Sequence, residues 1–94
     1  MALLDVDVLE EVEVSVSEKV IEGKRLIVFN DDVNTFDHVI DTLIDVCGHS
    51  AEQAEQCTMI IHYKGKCAVK TGTFDELAPM KNDICRRGIS ASVI

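Results

Sequence analysis

The sequence predicts a small α+β domain with element order β-α-α-β-α-β, in which helices pack on a small antiparallel sheet. Three observations predict it. Short β-branched runs alternate with apolar stripes of helical period. Two capping boxes and several glycines punctuate those stripes. The chain has 94 residues, 47 % of them apolar, which is enough for one modest core and one domain.

Arg25-Leu26-Ile27-Val28-Phe29 is a compact apolar run and reads as a buried first strand. After the polar stretch Asn30–Asn34, Thr35 is placed to cap a helix and Asp37 suits the positive end of its dipole. Phe36, Val39, Ile40, Leu43, Ile44 and Cys47 then recur on one helical face, and Gly48 ends the helix. Ser50-Ala51-Glu52-Gln53 is a capping box that opens a second helix through Ala54, Cys57, Thr58, Ile61 and His62. Lys64-Gly65-Lys66 turns the chain into a strand over Cys67–Thr71, which Gly72 ends. Thr73-Phe74-Asp75-Glu76 is a second capping box, but Pro79 follows closely, so the third helix is expected to bend or to start at Pro79. Gly88 closes it, and the alternation in Ile89–Ile94 reads as a last strand.

The charge is unevenly placed. The net is −8, yet residues 1–23 hold seven acids and one lysine, and the other 71 residues are almost balanced. Residues 1–23 therefore read as a flexible acidic extension, and residues 24–94 as the domain. The alternating EVEVSVSEKV run suits an extended form on contact with a partner, or an ordinary edge strand. An acidic chain of this kind argues against nucleic-acid binding, which needs a basic face. No apolar run is long enough to cross a membrane, and MALLDVDVLEE lacks the basic start of a signal peptide, so the expected location is cytoplasmic. Cys47, Cys57, Cys67 and Cys85 have no knuckle spacing, with or without His38, His49 and His62. They read as buried reduced thiols, with no metal and no cofactor expected. No nucleophile elbow, phosphate loop or metalloprotease motif appears, so an enzyme is not expected.

The stretch Val28–His38, VFNDDVNTFDH, carries the chemistry. Asn30-Asp31-Asp32 has two readings. It forms an Asx turn that steers the strand into the helix, or it is a receptor for a small cation. An ammonium group has three donors and a charge, which a carboxamide oxygen and carboxylates would match. His62, near the end of the second helix, either caps that helix end or offers a neutral imidazole acceptor to the same amine.

The segment from about Lys24 to Ile94 resembles ClpS, the adaptor family of Clp proteases that recognises destabilising N-terminal residues. The likeness rests on Val28-Phe29-Asn30-Asp31-Asp32, on Asn34-Thr35-Phe36-Asp37-His38-Val39, and on Ala54–Ile61 leading into His62-Tyr63-Lys64-Gly65-Lys66. The resemblance implies a fold like the C-terminal domain of the ribosomal stalk protein. It implies that Asn30, Asp32 and His62, with Asp31 in support, meet the α-amino group of a peptide beginning with Phe, Tyr, Trp or Leu. It implies that Asn34, Thr35, Phe36, Val39, Thr58, Ile61 and Ile89 line the pocket for the first side chain. Many relatives carry Met where Phe36 stands, and Met is common in the pocket where Thr58 stands. The implied partners are N-degron substrate proteins and the N-terminal domain of a Clp-family AAA+ unfoldase, with Glu76 and Lys81 as candidate contacts. The alternative is an interaction domain of the same fold without N-degron binding.

Overall fold

Leu26, Ile27 and Val28 are the most apolar consecutive residues of the first strand, and all three are buried. The computed structural model describes residues 23–94; apart from Gly23, the acidic extension read over residues 1–23 lies outside the described residues. The chain runs through β1 (Lys24–Phe29), α1 (Phe36–Cys47), α2 (Ala51–Lys64), β2 (Lys66–Gly72), α3 (Phe74–Arg86) and β3 (Ala91–Val93). This is the expected β-α-α-β-α-β order.

The sheet has the order β2-β1-β3 and both pairings are antiparallel. β1 is central, which explains its burial. Its register against β2 slips between Leu26 and Ile27, whose partners are Lys70 and Ala68, so Val69 is the extra residue of a bulge. The last strand is shorter than the alternation in Ile89–Ile94 suggested. Its pairing nevertheless continues at both ends, with the Phe29 amide donating to the Ser90 carbonyl (3.0 Å) and Arg25 and Ile94 exchanging bonds of 2.8 and 2.9 Å.

Leu26 and Val28 share one face of β1 and meet Val39, Leu43 and Cys47 of α1, Ala54 and Ile61 of α2, and Leu77 and Ile84 of α3. Thr42 is also buried on α1, its hydroxyl donating to the His38 carbonyl at 2.8 Å. That bond satisfies a polar group inside the apolar stripe. No helix among the described residues is long and apolar enough to cross a membrane.

Two expectations need correction. α3 neither starts nor breaks at Pro79; it starts at Phe74 under the Thr73 cap and runs through the proline. The capping box and the burial of Leu77 and Ile84, on either side of Pro79, outweigh the lost backbone bond. The cysteines are not uniformly buried: Cys47 is, Cys57 and Cys67 are half-buried, and Cys85 is exposed.

α3 ends in a Schellman arrangement. The Gly88 amide donates to Cys85 and the Ile89 amide to Ile84, with Gly88 at φ 87°. Ile84 and Ile89 are both buried, supplying the apolar contact such ends carry. Replacing Pro79 by Ala restores an amide donor inside α3, so Pro79→Ala is expected to raise unfolding free energy by about 1–3 kcal/mol in urea titration. A loss of stability would show that the proline is structurally required.

Candidate functional site

The loop between β1 and α1 is built by one carboxylate. Asp31 Oδ1 accepts from the amides of Val33 and Asn34, both at 2.9 Å. This is an Asx turn, and it explains how the chain reverses from strand to helix in so few residues. The Asn34 carboxamide donates to both Asp31 oxygens (3.2 and 2.9 Å) and to the Gly88 carbonyl (2.9 Å). It therefore ties the loop to the C-terminal end of α3. His38 adds a second tie, with Nε2 at 2.9 Å from the Arg87 carbonyl. Arg87 in turn donates to Asp45 at 3.2 Å.

The other anchor is the Asn30 backbone, whose amide donates to the Gly65 carbonyl at 2.8 Å. Gly65 ends α2 with φ 95° and its amide returns to the Ile61 carbonyl. That left-handed conformation favours glycine. The bond places the start of the loop against the end of α2, whose last turn carries His62. His62 lies edge-on to Phe36, the first residue of α1, with ring centroids 5.1 Å apart, and edge-on to Tyr63 at the same distance.

The Asx-turn reading of Asn30-Asp31-Asp32 thus falls on one residue. Asp31 forms the turn. Asn30 and Asp32 are exposed, and their side chains make no hydrogen bond to any described residue. The Asp31 carboxyl is held below its ordinary value of 3.8, first by the Asn34 amide, then by the Val33 amide and the Asn34 side chain. Asn30, Asp32 and His62 are all exposed, and a carboxamide oxygen, a carboxylate and an imidazole nitrogen can each accept from a cationic donor.

The residues expected to line a pocket divide into three groups. Phe36 is partly exposed, at 41 %. Asn34 is committed to Asp31 and Gly88, and Thr35 caps α1, accepting from the His38 amide at 3.0 Å. Val39, Thr58, Ile61 and Ile89 are buried, and the Thr58 hydroxyl donates to the Ala54 carbonyl at 2.8 Å. Glu76 closes the capping box of α3, its carboxylate accepting from the Thr73 amide at 2.9 Å, and Lys81 is half-buried on the same helix. The Gly65 carbonyl, His38 and the Gly88 carbonyl were not singled out as supports. The two carbonyls act as backbone groups, which residue type does not signal, and the His38 side chain meets a backbone carbonyl distant in sequence.

A shallow cleft of about 380 Å³ lies elsewhere, between the α1–α2 turn and β2. It adjoins Cys47, at the opposite end of α1 from Phe36. Among the described residues no group of three or more His, Cys, Asp or Glu side chains is arranged to hold a metal.

Residues 23–91 match the family model described as ATP-dependent Clp protease adaptor protein ClpS. The chain belongs to the ClpS family. The ATP-dependent Clp protease adapter protein ClpS of a Synechocystis species is 31 % identical over 67 residues, which cover 70 % of this chain and 68 % of that protein. Among solved structures, Agrobacterium tumefaciens ClpS2 bound to L-phenylalaninamide superposes with a TM-score of 0.67 at 15 % identity, over 78 % of this chain and 95 % of the other. That likeness bears on the fold. As a member of this family the chain is an adaptor of a Clp protease.

The lowered Asp31 carboxyl has a consequence for stability. Because the folded value lies below the unfolded one, the stabilisation is present above pH 3.8 and is lost as pH falls through the folded value. Asp31→Asn keeps an acceptor for the two amides but does not titrate. Below about pH 4 the variant is expected to lose less stability than the parent, measured by urea unfolding at matched pH values. Identical losses would remove Asp31 as the titrating support of the loop.

Proposed function

We propose that this ClpS family member binds proteins through a free N-terminal amine followed by a bulky apolar first residue (Phe, Tyr, Trp or Leu) and delivers them to a Clp AAA+ unfoldase. The observation that carries this reading is the division of labour in the loop. Asp31 is consumed in building the turn, while Asn30 and Asp32 face solvent beside the helix end that carries His62. Groups needed only for folding have no reason to be presented in this way. The ligand of the A. tumefaciens relative, L-phenylalaninamide, combines a primary amine with an aromatic side chain, which supports the same ligand class here. The adaptor itself carries no catalytic step in this reading, and Glu76 and Lys81 remain the proposed unfoldase contacts, with Glu76 also serving its cap.

The energies are of the right size. Hydrogen bonds to a charged amine are worth about 1.5–3 kcal/mol each, and burial of a Leu or Phe side chain adds about 1.5–3 kcal/mol. Against an association cost of several kcal/mol, the remainder is roughly micromolar affinity, which allows cargo release.

Asp32→Ala and His62→Ala are each expected to weaken binding of a Phe-initiated peptide by about 1.5–3 kcal/mol in fluorescence anisotropy, with little change in melting temperature. Both side chains are exposed, so a large drop in melting temperature would assign them to the fold instead. Unchanged affinity in both variants would refute the amine site.

First-residue preference follows from Phe36. Its ring is partly exposed against His62, and Val39, Thr58, Ile61 and Ile89 are buried. A side chain branched at Cβ meets that ring sooner than one branched at Cγ. Peptides beginning with Leu are expected to bind at least about tenfold, or 1.4 kcal/mol, more tightly than those beginning with Ile, and Phe36→Ala is expected to narrow the gap. Equal affinity for the two in the parent protein would show that Phe36 does not discriminate.

The acidic segment is assigned to handover, not to peptide binding. Deleting residues 1–22 is expected to leave peptide affinity nearly unchanged and to slow or abolish degradation of a Phe-initiated reporter by the unfoldase–protease. Undiminished degradation would remove that role.

A further inference from the structure

All three helices pack on the side of the sheet that Leu26 and Val28 face. Among the described residues no helix or strand covers the other side. Strand alternation and register define that open face. On β1 it carries Arg25, Ile27 and Phe29. On the flanking strands Lys66 is paired with Phe29, Ala68 with Ile27, and Ile94 exchanges backbone bonds with Arg25. Ile27 is buried and Phe29 half-buried, whereas Arg25, Lys66, Ala68 and Ile94 are exposed. The face therefore has an apolar centre and one cation towards each end of β1. Its other positions, Thr71, Ser90 and Ser92, are uncharged, so it holds no acid. Neither Arg25 nor Lys66 forms a salt bridge with a described residue. Lys70 differs: it is paired with core-facing Leu26, and its ammonium donates to the Cys47 carbonyl on the helix side at 3.0 Å. The amine site uses none of these residues.

We propose that this open face is the docking surface of the chain's own acidic segment, with residues 18–22 lying along β1. The point of attachment favours it. Residue 22 is joined through Gly23 to Lys24, the first residue of β1, so the segment leaves the domain at the Arg25 end of the face. The charges are complementary, because residues 1–23 hold seven acids and one lysine, and the face holds two cations and no acid.

The spacing matches as well. In an extended chain Glu18, Val20 and Glu22 share one side, and the two carboxylates are borne about 13 Å apart. Arg25 and Phe29, the partner of Lys66, are also four residues apart along β1. A reversal at Gly23 sets Glu22 beside Arg25, Val20 over Ile27 and Glu18 towards Lys66. A tethered segment meets the face at high effective concentration, so a weak contact suffices. Exposed ion pairs are individually weak and are screened by salt. The docked state is therefore shallow, salt-sensitive and readily released.

The test uses the full chain and two readouts. A zero-length carbodiimide joins a carboxylate to an amine only where the two already meet. Mass spectrometry is expected to find Lys66 joined, within one chain, to Glu18 or a neighbouring acid of residues 10–22, at a yield unchanged by dilution. Amide NMR supplies the second readout. Raising NaCl from about 0.05 to about 0.5 M shortens the screening length several-fold. This should shift the amides of Arg25, Ile27, Phe29, Lys66 and Ala68 in the parent and leave them still in the Glu18→Gln, Glu22→Gln double variant. That variant alters no residue of the folded domain, so loss of folding does not confuse the result. Lys66→Arg should abolish the link and keep the salt response. Links that fade on dilution would assign the face to a second copy of the chain. Links from the segment to Lys81 in place of Lys66 would put it on the helix side. No link and salt-insensitive amides would leave the face bare. Each of these three results would overturn the proposal.

Discussion

The hydrogen bond from the Asn30 amide to the Gly65 carbonyl joins the two halves of the candidate site. Asn30 follows the last residue of β1, the buried centre of the sheet, and Gly65 follows the last residue of α2. One backbone bond therefore sets where the acidic loop stands relative to His62. The bond depends on glycine at 65, because the carbonyl is aimed by a left-handed residue. It depends equally on β1 being held in place by the core, through Leu26 and Val28. Packing of the interior is thus transmitted to the surface by main-chain geometry.

On that frame the loop separates structural from presented polar groups. Asp31 satisfies two backbone amides and takes a third partner in Asn34, which also reaches Gly88. A carboxylate so bound stays ionised and immobile. It supplies negative charge to the site without needing to touch a ligand. Asn30 and Asp32 stand on either side of this bonded residue and are exposed.

Much of this was legible in the residues. The apolar stripe from Phe36 to Cys47 and the two capping boxes marked helices whose ends agree closely with the structure, because caps and periodicity are local signals. Pro79 misled for the same reason. Its penalty is local, and the burial of Leu77 and Ile84 that outweighs it is tertiary. The short β3 reflects pairing with β1, which alternation alone does not measure. At the candidate site, Asn30, Asp31, Asp32 and His62 were singled out by type and by family likeness. The assignment of the turn to Asp31 and of solvent-facing roles to its neighbours required the backbone. Val39, Thr58, Ile61 and Ile89, expected as pocket walls, are buried. An apolar residue reads the same in sequence whether it lines a pocket or fills a core.

The central claim is that the acceptor surface formed by Asn30, Asp32 and His62 recognises a charged amine. Two peptides of identical sequence beginning with Phe, one with a free N-terminus and one acetylated, isolate that interaction, because acetylation removes the charge and most of the donors and leaves the side chain intact. In titrations by fluorescence anisotropy the free peptide is predicted to bind at least about tenfold more tightly. Equal affinity for the two peptides would contradict the account.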